Sequence, residues 1–341
     1  MKAILVERYG GPEVLRVAEV DTPRPGPTDA LVRVRACGVC YHDLLMRQGR
    51  FRNLKLPQIP GHEVAGEVAE VGAAVTHLKP GDRVIVAAFR FCGVCPACRQ
   101  GRNDQCQASA GAPGAEEDGG YAEVVRAPAV CLTRLPESIS WEEAAALPCA
   151  AATALEAVRD VAQVRPGDRV LVTGASGGVG VHAIQLARLF GAEVIAATTS
   201  QEKAKLLPDL GAHAVVCGPA DQMARRVKET AGGRGVSVVI ECVGTATMEA
   251  SLHALAPGGR MALVGAITGD PVPIKPAVLV LKNLSIHGTS RQADLAEVVE
   301  LVESGRLRPI VSRSLPLAEA AESHRLLEGR ASFGRIALRL P

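Results

Sequence analysis

Arg169-Val-Leu-Val-Thr-Gly-Ala-Ser-Gly-Gly-Val-Gly180 decides the fold of this chain. Arg169 to Thr173 is a short buried-strand run, the next seven residues form a glycine turn, and a helical pattern follows from about Val179 to Phe190. Strand, tight turn and helix in that order open a βαβ unit. The glycines permit the turn and let backbone N–H groups approach a pyrophosphate at the helix N-terminus. Gly174, Ser176, Gly177, Gly178, Val179 and Gly180 are therefore the expected phosphate-binding residues, the alternative being a tight turn with only a structural role.

Downstream, strands are expected at Glu193–Ala197, Ala214–Val216, Val236–Ile240 and Arg260–Val264, with a helical stretch from Glu202 to Leu210. Strands and helices alternating at this length predict a doubly wound parallel sheet, with Gly265 after its last strand among the cofactor residues. A site selective for NAD carries an acidic residue near the end of the second strand to bind the ribose 2′-hydroxyl. Here Thr198 stands in that place, followed by Ser200 and Lys203, which would accept a 2′-phosphate. NADP(H) is favoured over NAD(H), although Glu202 lies close by.

Upstream the texture differs. Ala30 to Ala36 alternates, with Val32, Val34 and Ala36 on one face and Leu31, Arg33 and Arg35 on the other. Short apolar runs such as Val84–Ala88 are separated by turns such as Lys79-Pro-Gly-Asp82, which predicts a folded-over barrel or sandwich. The last fifty or so residues hold an amphipathic helix, Leu295 to Glu303, and a final strand at Ile336–Arg339. That tail is expected to pack back on the first domain.

At 341 residues the chain predicts two domains. A formal net charge of +2 gives no basic excess to attract nucleic acid. The start, Met1-Lys-Ala-Ile-Leu-Val-Glu-Arg8, lacks a signal peptide's apolar run, and the glycine turn interrupts the only stretch near membrane-spanning length, Val170 to Ala187. A cytoplasmic protein without membrane or nucleic-acid partners is expected. Ten cysteines without a secretion signal favour metal ligands or free thiols over disulfides.

Four of them, Cys92, Cys95, Cys98 and Cys106, follow a C-x2-C-x2-C-x7-C spacing. Tetrahedral Zn2+ takes four thiolates at about 2.3 Å, and such a closed cage braces a lobe without doing chemistry. An iron–sulfur cluster and two disulfides are the alternatives, but ferredoxin runs are spaced differently. Cys37, Cys131, Cys217 and Cys242 read as small buried residues.

Cys40-Tyr-His-Asp43, Gly61-His-Glu63, the four-cysteine loop, Cys149-Ala-Ala-Ala-Thr153 and the glycine turn occur in that family-specific order along essentially the whole chain. The chain thereby resembles the zinc-containing alcohol dehydrogenases of the medium-chain dehydrogenase/reductase superfamily. The resemblance implies a β-rich GroES-like catalytic domain over residues 1–150, a Rossmann cofactor domain over 151–288, and a return to the catalytic domain over 289–341. It implies two Zn2+ per chain, one structural and one catalytic, with Cys40, His62 and Cys149 as catalytic ligands and Glu63 as a transient one. Asp43 would orient His62, Thr153 would line the nicotinamide pocket, and Arg335 would contact the pyrophosphate. Three protein ligands leave zinc an open position, where it can lower an alcohol's pKa or polarise a carbonyl while the nicotinamide carries the hydride. Members of this family pair through the cofactor domain, so a homodimer or homotetramer is expected.

Two departures bear on the reaction. His42 replaces the Ser or Thr that begins the family's proton relay, and Leu45 replaces a histidine found further on. His42 could exchange the proton itself, or it could be a packing residue. The glycine turn is one residue longer than the usual alcohol dehydrogenase form and resembles that of quinone oxidoreductases and enoyl reductases. The leading expectation is interconversion of an alcohol and an aldehyde or ketone by hydride transfer at a zinc-bound oxygen. Reduction of an activated C=C bond, as by acryloyl-CoA-type enoyl-thioester or enone reductases, is the alternative. A non-catalytic nucleotide-binding protein is the third, opposed by the intact Cys40, His62 and Cys149.

Overall fold

A computed structural model describes residues 1–51, 54–109, 111–289 and 294–341 of the chain. Its contacts divide into two units, one formed by Met1–Ala152, Arg291–Gly305 and Pro309–Pro341, the other by Thr153–Ser290 and Arg306–Arg308. Among the described residues no helix is long and apolar enough to cross a membrane.

The first unit is built on a seven-stranded sheet whose central strand is Asp29–Val39. That strand pairs antiparallel with Glu63–Val71 on one side, and with Val124–Pro128 and Arg335–Arg339 on the other. Arg335–Arg339 in turn pairs parallel with Val311–Pro316 at the edge. Val32, Val34 and Ala36 are buried as the alternation requires. Leu31 is buried too, contrary to its expected place on the arginine face, and a register shift lies between Leu31 and Val32. Such a bulge re-aims the side chains beside it.

The second unit holds a six-stranded parallel sheet in the order Ala214–Cys217, Glu193–Thr198, Arg169–Val172, Val236–Glu241, Leu255–Leu263, Ser285–Gly288. The chain reverses direction across the sheet beside Arg169–Val172, the place where doubly wound sheets bind nucleotides. Helix Gly178–Leu189 buries Val181, Ile184 and Leu186, so its apolar side meets the protein interior.

Three local expectations are corrected. The helix foreseen from Glu202 to Leu210 is one turn, Gln201–Ala204, followed by a 3-10 turn at Pro208–Leu210. Pro208 has no N–H with which to continue the helix ladder. The strand foreseen from Arg260 begins at Leu255, its parallel pairing to Val236–Glu241 carried past Pro257-Gly-Gly259 by a register shift. Cys242 is only half-buried, beside the glycine turn rather than within the core.

Candidate active site

Each ligand candidate is placed by a different local device. Cys40 precedes helix Tyr41–Arg47, and its backbone N–H donates to Asp43 Oδ2 at 2.9 Å. His62 follows Gly61, whose φ of +99° suits glycine alone. A side chain at Gly61 would also collide with the Tyr121 ring, 2.4 Å from the nearest ring carbon. Glu63 begins the strand Glu63–Val71. Cys149 sits in a π-helical turn, Leu147–Ala151, where the Ala151 N–H reaches back to the Ala146 carbonyl at 3.1 Å. Widened turns of this kind recur at functional sites.

The four side chains bring ligand atoms to within 4.8 Å of one another. Two sulfurs, an imidazole nitrogen and a carboxylate oxygen form a donor set suited to zinc. Glu63 is fully buried, and among the described residues its Oε2 has no hydrogen-bond partner, an acceptor that a cation in the cluster would satisfy. These residues fit the metal that the resemblance implies.

Charge is divided unevenly within the cluster. A hydrogen bond from Cys149, aided by the charges of Arg335 and His62, holds the Cys40 thiol well below its ordinary range despite burial. The same bond and burial push Cys149 up, so the pair favours one thiolate, on Cys40. Burial pushes Glu63 up to about 7 against the pull of Arg335. Burial also opposes charge on His62, but Asp43 and Cys40 outweigh it and raise the imidazole well above its usual value.

Asp43 is the organising carboxylate. It is 1% exposed and accepts from the Cys40 N–H, from His62 Nδ1 at 3.1 Å and from the Tyr121 hydroxyl at 3.2 Å. An Nδ1–H bonded to Asp43 leaves the His62 Nε2 lone pair for a metal. His42 lies beside them, its ring 4.9 Å from that of His62 and 4.5 Å from that of Phe51. Burial and the neighbouring His62 lower its pKa.

Arg335 was expected at the pyrophosphate. Within its own unit its guanidinium lies 2.5 Å from Glu63 Oε1, 3.5 Å from Cys40 Sγ and 3.7 Å from Cys149 Sγ, contacts that leave the expected pyrophosphate role untested. Buried anions draw a buried cation, and here those anions belong to the ligand cluster.

The four-cysteine loop gathers as its spacing predicts, the sulfurs of Cys92, Cys95, Cys98 and Cys106 lying within 4.8 Å of one another. Cys95 and Cys98 are 3.5 Å apart, and backbone N–H groups of Cys92 and Cys95 point at the sulfurs of Cys106 and Cys92, each at 3.3 Å. Such bonds stabilise thiolates. Backbone N–H groups of Cys98 and Gln107 pull Cys95 down to about 6, while burial and its sulfur neighbours push Cys98 up to about 12.

In the second unit Gly174 has φ +54° and accepts from the Gly177 N–H at 2.8 Å. A Cβ on Gly180 would lie 2.4 Å from the Gly174 carbonyl oxygen, and one on Gly265 would lie 2.1 Å from that of Cys242. Among the described residues no side-chain hydrogen bond caps helix Gly178–Leu189 after Ser176 and Gly177, which leaves the amides of its first turn, Gly178 and Val179, available to an anion. Thr198 ends its strand, with Oγ1 3.4 Å from Ser176 Oγ and 3.3 Å from the Ser200 N–H. Ser200 caps the one-turn helix that carries Lys203. Thr153 lies half-buried at the start of this unit in helix Ala152–Leu155.

Three buried groups escaped the sequence reading. Tyr121 and His324 join Asp43 from positions 78 and 203 residues apart in the two bonds concerned, with no motif to announce either. Glu241, fully buried, accepts from Val243 and Gly244 N–H and from the hydroxyls of Thr173, Thr247 and Ser251, fixing the strand end beside the glycine turn. The hydroxyl-rich surroundings were the available signal, but they come from two separate segments, Thr173 on one and Thr247 and Ser251 on the other.

His324 gives the protein an acid sensitivity. Burial, opposed by Asp43 and assisted by Arg47, holds its pKa down to about 4. The unfolded imidazole binds its proton near 6.5, so the unfolded state gains protons first as pH falls. Stability is thus complete above 6.5 and declines between 6.5 and 4, by ~3 kcal/mol for this group. Urea unfolding across that range should show a steeper loss in the parent than in His324→Gln. Equal slopes would remove His324 as the cause.

Known proteins carry the same plan. The family model described as alcohol dehydrogenase GroES-like domain matches residues 26–137, and the zinc-binding dehydrogenase model matches residues 178–304. The chain is 37% identical over 345 residues to an alcohol dehydrogenase of Geobacillus stearothermophilus, covering 100% of both proteins. It is 35% identical over 343 residues to acryloyl-coenzyme A reductase of Metallosphaera sedula, covering 99% of each. Among solved structures, an NAD-dependent alcohol dehydrogenase superposes with a TM-score of 0.94 at 38% identity, with 100% of both chains covered.

Proposed function

Because the chain belongs to the zinc-containing alcohol dehydrogenase family of the medium-chain dehydrogenase/reductase superfamily, and is an oxidoreductase of that superfamily, we propose that it interconverts an alcohol and an aldehyde or ketone with NADP(H). The observation that carries this reading is the convergence of Cys40, His62 and Cys149 with the unsatisfied Glu63 oxygen. Zinc held there would act as a Lewis acid toward the substrate oxygen, and the nicotinamide would carry the hydride. The reaction balances as alcohol plus NADP+ giving carbonyl, NADPH and one proton. Asp43 keeps His62 in the ligating tautomer, and Arg335 offsets the negative charge that Glu63 and Cys40 bring into the cluster. His42 is the group placed to hold the departing proton at a ring nitrogen. His42→Ala should lower kcat by about tenfold or more, with added imidazole restoring part of it. An unchanged kcat would make His42 a packing residue.

A second reading has its own support. The acryloyl-coenzyme A reductase relative and the longer glycine turn favour reduction of an activated C=C bond, in which NADPH gives hydride to the β-carbon and a proton reaches the α-carbon. A panel of alcohols, aldehydes, enones and acyl-CoA thioesters with both cofactors separates the two. Turnover of simple alcohols and aldehydes supports the first reading. NADPH oxidation with enoyl substrates alone would overturn it.

The cofactor preference rests on Thr198 and Ser200 at the strand end, where an acidic side chain would select NAD. Thr198→Asp should raise KM for the 2′-phosphorylated cofactor by about tenfold or more through charge repulsion. An unaltered ratio of the two KM values would place 2′ recognition elsewhere.

A further inference from the structure

The bonds that fix Asp43 continue beyond it. The Tyr121 hydroxyl has one hydrogen, and Asp43 Oδ2, an acceptor at 3.2 Å, is its recipient. The neighbour on the other side, His324 Nε2 at 3.3 Å, must then be the donor, since the Tyr121 oxygen is left only to accept. His324 Nδ1 consequently carries a bare lone pair, and among the described residues this buried atom has no hydrogen-bond partner. Both side chains are fully buried. We propose that Tyr121 and His324 are positioning residues of the metal centre, forming a one-way hydrogen-bond chain from helix Ala320–Glu328 through Asp43 that holds His62 with its Nε2 lone pair toward the metal.

The packing supports a positioning role. The Tyr121 ring lies against the Gly61 turn that presents His62, so closely that any side chain at Gly61 would overlap it. Helix Ala320–Glu328 is tied a second time to the helix that carries Asp43, since Glu328 pairs with the fully buried Arg47 and accepts from Gln48 at 3.2 Å. Arg47 also donates to the Gly10 carbonyl at 2.9 Å, which anchors the end of its helix. Helix Tyr41–Arg47 is thereby held from the C-terminal helix at two points one turn apart, Asp43 and Arg47. Rotation of that helix would swing Asp43 off His62, and the two ties oppose it.

The inference rests on the reading of Cys40, His62 and Cys149 as a metal site, and its test separates the two. The probe is cobalt: the holoenzyme is loaded with Co2+, and release from this site to a chelator is followed by visible absorption, the four-thiolate site serving as internal reference. Groups bonded directly to a ligating histidine change metal affinity by about 10–100-fold. One bond further out, Tyr121→Phe and His324→Leu should each speed release about tenfold and alter the Co2+ spectrum. His324→Gln, which keeps an N–H donor, should stay near the parent. Tyr121→Phe preserves shape, so a residue that merely fills the core would leave release unchanged. Parent-like release in Tyr121→Phe, or His324→Gln releasing as fast as His324→Leu, would overturn the chain. If His324→Leu fails to fold, Tyr121→Phe alone decides. A parent protein that loads Co2+ only in the four-thiolate site would overturn the metal-site reading and the chain with it.

Discussion

Cys40→Ala is expected to retain its fold and one metal ion while losing catalysis by about a thousandfold or more in kcat/KM. The fold should survive because the bond that starts helix Tyr41–Arg47 uses the backbone N–H of residue 40, which alanine also possesses. Asp43, Tyr121 and His324 keep their partners for the same reason. What is lost is the sulfur that the surroundings hold as thiolate, through Cys149, Arg335 and His62 together. With it gone, Cys149 and His62 supply two ligands where a catalytic zinc site uses three. The Lewis-acid contribution of such a metal is worth several kcal/mol, and each 1.36 kcal/mol is a factor of about ten in rate. Metal analysis should fall from two ions per chain to one, the remaining ion in the four-thiolate site. Full activity in Cys40→Ala would end the metal-centred reading for alcohol and enoyl chemistry alike.

The parts of this molecule legible from sequence are those in which chemistry and contact are local. The glycine turn is read within seven residues, and its geometry follows from Gly174 and Gly180 themselves. The four cysteines converge inside a fifteen-residue loop, Cys92 to Cys106, so spacing alone suffices. Helix Ala220–Thr230 was missed because its sequence is dominated by charge, and only Met223 and Val227, one turn apart, face the core. The outer part of the active site was hidden for another reason. Tyr121 reaches Asp43 across 78 residues, and Arg335 reaches Glu63 across 272. No periodicity encodes such partners, because they meet only after the sheet has set its register. Arg335 is the instructive case. Family likeness predicted a role for it at the pyrophosphate, and its bonds within its own unit are to the buried Glu63 and the two cysteine sulfurs, groups whose burial could not be read until the strands Asp29–Val39, Glu63–Val71 and Arg335–Arg339 were aligned.

The four-thiolate lobe should prove the least stable part of the molecule without its metal. Of residues 92–106 only Ala97 is buried, and Val94 is 67% exposed, so the loop has almost no apolar core of its own. Its regular structure is one helical turn, Pro96–Arg99, and one 3-10 turn, Asn103–Gln105, each too short to persist alone. The sulfurs must therefore supply the cohesion, and four sulfurs within 4.8 Å of one another supply it only around a cation. Zinc-finger peptides gain about 10–16 kcal/mol from such binding, most of it offset by ordering the chain. Cys98→Ala, which removes the sulfur that links Cys92 and Cys95, should release this ion and leave the Cys40 site loaded. Proteolysis should then cut first between residues 92 and 106, and Tm should fall by about 10 °C, corresponding to a few kcal/mol at ~2–4 °C each. Acid should act in the same direction, because each thiolate that gains a proton ceases to be a ligand, so loading falls as pH falls. The lobe's outer attachment, Cys131 against the Phe91 N–H and carbonyl at 3.4 Å each, uses no metal and should hold its end of the loop in place. Loss confined to the lobe is thus the expected result, and a Cys98→Ala protein with parent Tm and an uncut loop would show that the four cysteines do not brace it.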